Sequence, residues 1–165
     1  MRTIGVEERR ARLARRHLLL PGTRTNDVVA VADALVALHS SDPVTVYLSL
    51  FARMVDPSLD AVEAALYEHR SLVRHHAVRR TLWVATPEVV RVLHAAATRA
   101  LVGPDRRRTA GYLAASGIAD PEAWLDDADV RVLADLRAHG PSTARELGQR
   151  VQALRQPITV GGPGW

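Results

Sequence analysis

Short apolar segments separated by proline-containing restart signals constrain the fold of this 165-residue chain most strongly. A residue that can cap a helix stands directly before proline at Asp42-Pro43, Asp56-Pro57 and Thr86-Pro87. A capping side chain accepts hydrogen bonds from the free backbone N–H groups of a helix, and proline suits the first helical position. Apolar residues recur at helical spacing between these signals. The sequence therefore predicts a mainly α-helical fold.

Five helices and one β-hairpin are predicted in the first part of the chain. The helices cover residues 6–20, 28–38, 44–54, 60–70 and 86–101, and the second begins at an N-cap on Asn26 or Thr25. Residues 72–78 and 81–85 favour extended structure, and Arg79-Arg80 forms the turn between them, although the turn lacks the usual Asn-Gly pair. Trp83 and Phe51 lie in apolar patterns and are expected in the core.

A linker and a second module are predicted in the remainder. Residues 103–126 carry scattered glycine and proline, which predicts a linker with short helices. From residue 127 to residue 140 a helix is predicted, and its inward residues are Val130, Leu133, Ala134 and Leu136.

A helix-turn-helix pattern follows. Thr143 and Glu146 are spaced as a capping box directly after a Gly-Pro-Ser turn. Helix, tight turn and short helix are how winged-helix modules open. The closing ITVGGPGW predicts one short strand. We therefore expect a first module over residues 1–102 and the start of a second, truncated module over residues 127–165.

Charge and composition narrow the possible partners. All 22 basic residues are arginine, against 18 acidic residues, which gives a net charge of +4. Arginine keeps its charge at any usable pH and forks onto phosphates, so this balance permits nucleic-acid binding. The chain contains no cysteine, which excludes disulfides and thiol catalysis. His75 and His76 are adjacent on a predicted strand and point to opposite faces, so we expect no metal and no other cofactor.

Several motifs occur in an order that resembles a known family. They are ALVALHSSDPVTVYLSLFAR and ALYEHRSLVRHHAVRRTLWVATPEVV. These stretches resemble the winged-helix DNA-binding family that includes the AlkZ and YcaQ DNA glycosylases, and the resemblance extends from about Arg15 to Trp165. It implies longer chains, in which tandem winged helices and a small β-barrel grip duplex DNA. The expected fold class is mainly α with small β-hairpins, a winged helix-turn-helix tandem whose second module is incomplete.

The resemblance also indicates two candidate catalytic residues. Glycosylases of that family carry a Gln-x-Gln or Gln-x-Asp pair at the end of the second helix, where the side chains hold the water that attacks the sugar. The matching residues are His39 and Ser41. A neutral histidine can orient water or act as a base near pH 7, whereas serine supplies neither a carboxylate's charge nor the reach of a Gln amide. Alternatively, this segment only ends one helix and caps the next.

Residues at three places are predicted to contact DNA. The hairpin supplies Arg74, Arg79 and Arg80, the first helix supplies Arg12 and Arg16, and the turn of the second module supplies Ser142 and Thr143. Alternatively, the hairpin arginines protect a strand edge that faces solvent. The arginine run over residues 106–108 lies in the predicted linker and is expected to be solvent-exposed.

The expected partner is double-stranded DNA, bound by a monomer. No apolar run approaches the ~18–20 residues that cross a bilayer, and the basic N-terminus lacks the apolar region of a secretory signal. We therefore expect no membrane partner and a cytoplasmic, nucleoid-associated protein.

Four functional hypotheses remain open. The favoured one is sequence-tolerant binding of duplex DNA through arginine–phosphate contacts, without catalysis. The second is an active DNA glycosylase that excises alkylated or crosslinked bases by hydrolysing the N-glycosidic bond. The third is a transcriptional regulator, which would prefer one undamaged sequence and usually dimerise. The fourth is a nonfunctional remnant whose unfinished second module exposes apolar surface and aggregates.

Overall fold

The computed structural model describes residues 3–160 of the chain, which divides into two compact units, Met1–Leu101 and Val102–Trp165. The described residues are mainly helical, with one small three-stranded sheet in the first unit. The prediction of a mainly α fold with a small β part is therefore confirmed. No helix within the described residues is both long enough and apolar enough to cross a membrane.

Five helices and two π-helical turns form the first unit. The helices are α1 Val6–Arg16, α2 Val28–Leu35, α3 Val44–Phe51, α4 Leu59–Glu63 and α5 Pro87–Leu93. A π-helical turn follows α4 over Ala64–Glu68, and another follows α5 over His94–Thr98.

The first two helices differ from the prediction at their ends. α1 ends at Arg16 and not near residue 20, because Leu18 adopts a left-handed backbone with a φ of 57°. The N-cap of α2 is Asp27, whose Oδ1 accepts from two backbone N–H groups of the first turn at 2.9 and 3.0 Å. Asn26 and Thr25 do not cap this helix: Asn26 Oδ1 accepts from the backbone N–H of Asp56, and Thr25 Oγ1 from that of Asp27.

The sheet consists of β1 Leu38–His39, β2 Val73–His76 and β3 Leu82–Ala85, in the order β1-β3-β2 with antiparallel pairing. The predicted hairpin of β2 and β3 is confirmed. The strand β1 was not predicted, because apolar residues at helical spacing continue to Leu38. The helix ends earlier because Val36 takes a φ of 70°, and the extended chain then pairs with β3, where the Ser40 N–H donates to the Leu82 carbonyl.

Strand register gives the sheet two distinct faces, since directly opposite residues project to the same side. His39, Trp83 and His75 form one row across the three strands. Leu38, Val84 and Arg74 form the neighbouring row on the other side. Leu38 and Val84 are each only 2% exposed, so the second face is the one that packs on the core.

The core of the first unit lies between that face of the sheet and three helices. Its fully buried large side chains are Leu50, Met54, Leu72, Val31 and Val62. The helix α3 buries only one face: Val46 and Leu50 are buried, whereas Leu48 is 61% exposed. Phe51 is half-buried and packs against the core, as expected.

All the secondary structure in the described part of the second unit is helical. Its helices are α6 Arg99–Ala115, which begins just before the unit boundary, α7 Pro121–His139, α8 Ala144–Arg150 and a short 3-10 helix Gln152–Arg155. Residues 157–160 form no strand, since Pro157 offers no N–H and no other strand of the unit pairs with them among the described residues. Residues 161–165 of the predicted strand segment lie outside the described residues.

Residues 103–126, predicted to form a linker with short helices, lie largely within the two long helices α6 and α7. Pro104 lies within α6, and the helix ends only where Gly117 takes a φ of 88°. Arg106 stabilises this helix against α7 by ion pairs with Glu122, Asp126 and Asp129 at 2.7, 2.7 and 3.4 Å. The prediction that the arginine run over residues 106–108 simply faces solvent is therefore wrong for Arg106.

The inward face predicted for α7 is wrong for Val130, Leu133 and Ala134 and right for Leu136, which is half-buried. Val130 and Leu133 are 66% and 51% exposed, and Ala134 is exposed as well. The helix begins at Pro121, capped by Asp120, so its apolar stripe also includes Trp124 and Leu125, which precede the predicted start. That stripe is buried or half-buried and consists of Trp124, Leu125, Ala128, Val132 and Leu136. The predicted capping box of Thr143 and Glu146 is confirmed at the start of α8.

Candidate functional site

His39 and Ser41 lie side by side on the surface of the first unit. Ser41 Oγ is 3.2 Å from His39 Nε2, within hydrogen-bonding distance, and both residues are exposed. They meet because the backbone is extended, so side chains two residues apart project to the same side. Thr45 Oγ1 lies 2.9 Å from the His39 carbonyl and 2.6 Å from the Asp42 carbonyl, and so ties this segment to α3. The two predicted catalytic positions are therefore adjacent in space.

Asp42 has the capping function that the alternative interpretation expects. Its Oδ1 accepts from the backbone N–H of Val44 at 3.0 Å, at the start of α3. The segment thus contains both a helix cap and an exposed His–Ser pair. Capping explains Asp42 fully, but it does not account for the contact between His39 and Ser41.

Ser40 and Arg74 lie on the opposite side of the sheet from this pair. Ser40 is 1% exposed, and its hydroxyl has no hydrogen-bond partner among the described residues. The Ser40 carbonyl accepts a hydrogen bond from Arg74 Nη2 at 2.8 Å. Arg74, predicted to contact DNA, therefore holds the backbone between His39 and Ser41 from the core-facing side.

Trp83 connects the His–Ser pair to the hairpin turn. Its ring lies edge-on to the His39 ring, with centroids 5.2 Å apart and an interplanar angle of 78°. Its Nε1 donates to Thr81 Oγ1 at 2.9 Å. The expectation that Trp83 is a core residue is wrong, because the central strand β3 places this half-buried indole on the face away from the core. Sequence reasoning missed its position because an apolar pattern does not distinguish the two faces of a short strand.

The turn itself carries two exposed arginines in a strained backbone. Arg79 and Arg80 have φ values of 55° and 59°, and the Thr81 N–H donates to the Val78 carbonyl at 3.1 Å. Two central residues with positive φ define a type I′ turn, which ordinarily uses Asn-Gly. L-residues with side chains pay roughly 1–2 kcal/mol each in this region. The predicted turn is confirmed, and its arginines occupy a conformation that local propensity disfavours.

Next to Trp83 in the sheet, His75 packs against the π-helical turn His94–Thr98. Its ring centroid is 5.5 Å from that of His94, and its Nε2 is 3.2 Å from Thr98 Oγ1. The Thr98 hydroxyl donates its single hydrogen to the His76 carbonyl at 2.6 Å, so it accepts from His75 Nε2–H. These contacts hold the His75 ring in one orientation. Within residues 3–160, no three potential metal-ligating side chains come together.

The predicted DNA contacts on α1 lie on an exposed helix. Arg12 Nη2 is 2.6 Å from Glu8 Oε1, whereas Arg16 lies in the last turn. The helix buries none of its residues. Arg53 instead fixes its C-terminal end, since its guanidinium donates to the His17 and Ser49 carbonyls at 2.9 and 2.6 Å, and burial lowers the Arg53 pKa.

The two predicted contacts in the second unit take part in its internal hydrogen bonding. Thr143 caps α8, and its hydrogen bonds lower the pKa of Glu146. Ser142 Oγ accepts from Arg150 Nη2 at 2.7 Å. Arg150 also binds Asp135 at 2.8 Å and lowers the pKa of that carboxyl. Contact of Ser142 or Thr143 with DNA stays a prediction.

Comparison with known proteins confirms the family that the sequence motifs resemble. A family model described as DNA glycosylase AlkZ-like matches residues 32–165, which include β1, the hairpin and most of the helices. No curated protein and no solved structure matched the chain.

Proposed function

Since the chain belongs to the AlkZ-like DNA glycosylase family, we propose that it binds duplex DNA through arginine–phosphate contacts centred on the β2–β3 hairpin. One observation carries this proposal. The Trp83 indole contacts the His39 ring on one side and hydrogen-bonds to Thr81 on the other, so the arginine turn and the His–Ser pair are fixed relative to each other. Phosphates bound at the turn would therefore position a nucleotide with respect to His39.

The order of elements in the first unit supports a winged-helix interpretation. A helix, a short strand, two helices and a hairpin follow one another as α2, β1, α3, α4, β2 and β3. In a winged helix the hairpin is the wing, and its tip contacts the DNA backbone. Here that tip carries Arg79 and Arg80, and arginine donates two parallel hydrogen bonds to phosphate. We extend the same interpretation to the start of a second module in the second unit.

The charge of α4 argues for backbone binding over base reading. In a helix-turn-helix, the second helix of the motif enters the major groove. By order that helix is α4, and its exposed side carries Asp60 and Glu63. Carboxylates at this place repel phosphates on either side of the groove. This disfavours a transcriptional regulator that reads one sequence through α4.

A second candidate is hydrolysis of the N-glycosidic bond, favoured by the 3.2 Å contact between His39 and Ser41. A water that replaces the Ser41 hydroxyl at His39 Nε2 would attack C1′ of the nucleotide and give its proton to the imidazole. The base would leave with the electron pair of the glycosidic bond. Neither side chain carries a negative charge to stabilise the developing positive charge of the sugar, so this activity would be weaker than with a carboxylate.

Fluorescence anisotropy tests the binding proposal. The chain is titrated with a plain duplex and with a duplex containing an abasic-site mimic, at low and moderate salt. We expect binding that weakens steeply with salt. At low salt, Arg79→Gln/Arg80→Gln should lower the affinity for the duplex by about tenfold or more. The control Arg91→Gln/Arg137→Gln removes the same charge from exposed positions elsewhere and should lose much less. Equal losses in the two variants, or no binding by folded protein, would overturn the proposal.

An excision assay tests the second candidate. Tighter binding to the abasic mimic and slow release of an N7-alkylated base would support it, and His39→Ala should abolish the release. His39→Gln/Ser41→Gln restores the Gln-x-Gln pair that the resemblance places here and should increase the rate. Unchanged excision by His39→Ala would remove the proposed function of this residue.

A further inference from the structure

A cavity of about 300 Å³ lies on the core-facing side of the sheet, behind the His–Ser pair. Its volume falls at the lower end of small-molecule pockets, which range over ~300–1,000 Å³. Most of its wall is apolar and comes from α3, the π-helical turn Ala64–Glu68 and the sheet. The apolar lining residues are Pro43, Val46, Leu66, Leu72, Val73 and Val84.

The polar groups of this cavity are suited to an anion. Arg70 and Arg74 both line it, and within residues 3–160 no acidic side chain does. Arg74 uses one N–H for the Ser40 carbonyl and keeps others for a ligand, because a guanidinium has five. Tyr47 and Tyr67 complete the lining, and a hydrogen bond with Tyr67 raises the Tyr47 pKa, so the Tyr47 phenol stays neutral near pH 7.

Ser40 supplies the second, independent observation. It borders the cavity at 1% exposure, and its hydroxyl has no partner among the described residues. A buried hydroxyl without a partner costs roughly 1–3 kcal/mol, and such groups are rare in native proteins unless they bind something. Ser40 therefore supplies an unused donor to the lining of a mostly apolar cavity, and its carbonyl is bonded to Arg74.

We propose that this cavity binds a small aromatic carboxylate. The carboxylate accepts hydrogen bonds from Ser40 Oγ and Arg74 and is attracted by Arg70, while the ring occupies the apolar space between Val46 and Leu66. The cavity lies on the opposite face from His39, so ligand binding is distinguishable from DNA binding and does not depend on it.

Isothermal titration calorimetry of the full chain with benzoate tests the proposal. We expect one site with a dissociation constant of about 1 mM or tighter, which suits a ligand of this size. Benzamide keeps the ring but has no charge, and acetate keeps the charge but has no ring. Each should bind at least about tenfold more weakly, because it loses one of the two sets of contacts.

Variants separate specific binding from general attraction to a basic protein. Arg70→Gln and Ser40→Ala should each weaken benzoate binding about tenfold, whereas Arg137→Gln removes an equal charge from α7 and should change nothing. Leu66→Trp should fill the cavity and abolish binding, and Val73→Phe replaces it if a thermal melt shows that Leu66→Trp does not fold. The proposal would be overturned by equal affinity for benzoate and benzamide, or by an equal loss of benzoate affinity with Arg137→Gln. It would also be overturned by benzoate binding to a folded cavity-filled variant, or by no benzoate binding at 10 times the expected constant (about 10 mM).

Discussion

Replacing the hairpin arginines by the residues that the turn favours should separate stability from DNA binding. In Arg79→Asn/Arg80→Gly, asparagine tolerates the left-handed region and glycine adopts it without a steric cost. The relief is roughly 1–2 kcal/mol at Arg80 and less at Arg79, and the added freedom of glycine in the unfolded chain costs ~0.5–1 kcal/mol. The net gain in free energy of unfolding should be about 1 kcal/mol. For a unit of this size, Met1–Leu101, that raises Tm by about 4–8 °C.

The same variant should bind DNA less well. Each arginine–phosphate contact contributes about 0.9 to the slope of log affinity against log salt, so losing two contacts lowers that slope by about 1.8. Arg79→Lys/Arg80→Lys keeps the charge and the strain, and should preserve both Tm and most of the slope. Thermal melts by circular dichroism and anisotropy titrations at several salt concentrations measure the two effects. A lower Tm would refute the strain argument, and an unchanged slope would refute the phosphate contacts.

Two further substitutions test other parts of the structure. Ser40→Ala removes a buried hydroxyl that has no partner, so the free energy of unfolding in urea should rise by about 1 kcal/mol, and a fall would contradict the burial argument. Asp135→Asn should reduce amide-exchange protection in α8 at pH 7, because the Arg150 hydrogen bond holds the Asp135 pKa below its ordinary value of 3.8. A carboxyl with a lowered pKa stabilises the fold above its unfolded-state pKa, and this contribution is lost as pH falls through its folded-state pKa. The exchange protection of wild type and variant should therefore converge in strong acid. A difference in protection that persists there would show another cause.

Local signals in the sequence were sufficient for the hairpin and for the cap of α8. Extended segments on both sides of Arg79-Arg80 predict the hairpin, and Thr143 with Glu146 predicts a capping box, because both depend on neighbours in the chain. The strand β1 depends on pairing with β3, more than 40 residues away, and has only two residues of its own. Such a short strand carries no periodicity that could distinguish it from the end of a helix.

This difference decides how the candidate site is understood. At the end of a helix, side chains two residues apart point about 200° apart, so His39 and Ser41 would not meet. In the extended segment after α2 they project to one side, and their side chains are 3.2 Å apart. The position of Ser40 follows from the same alternation, since it must then point into the core. One change of local conformation thus creates the exposed pair and the buried hydroxyl together.

Two of the departures from locally favourable choices in this unit fall at the two proposed binding places, the hairpin turn and the core-facing side of the sheet. Arg79 and Arg80 occupy a turn that favours Asn-Gly, and Ser40 places a hydroxyl without a partner where an apolar side chain would be more stable. We expect the substitutions proposed above at these three positions to increase stability, in which case stability does not account for the residues present. Residues that violate local rules are expected where they serve binding or chemistry. If the turn binds phosphate and the cavity binds a carboxylate, as we propose, a variant that is more stable at either place should bind its ligand less well.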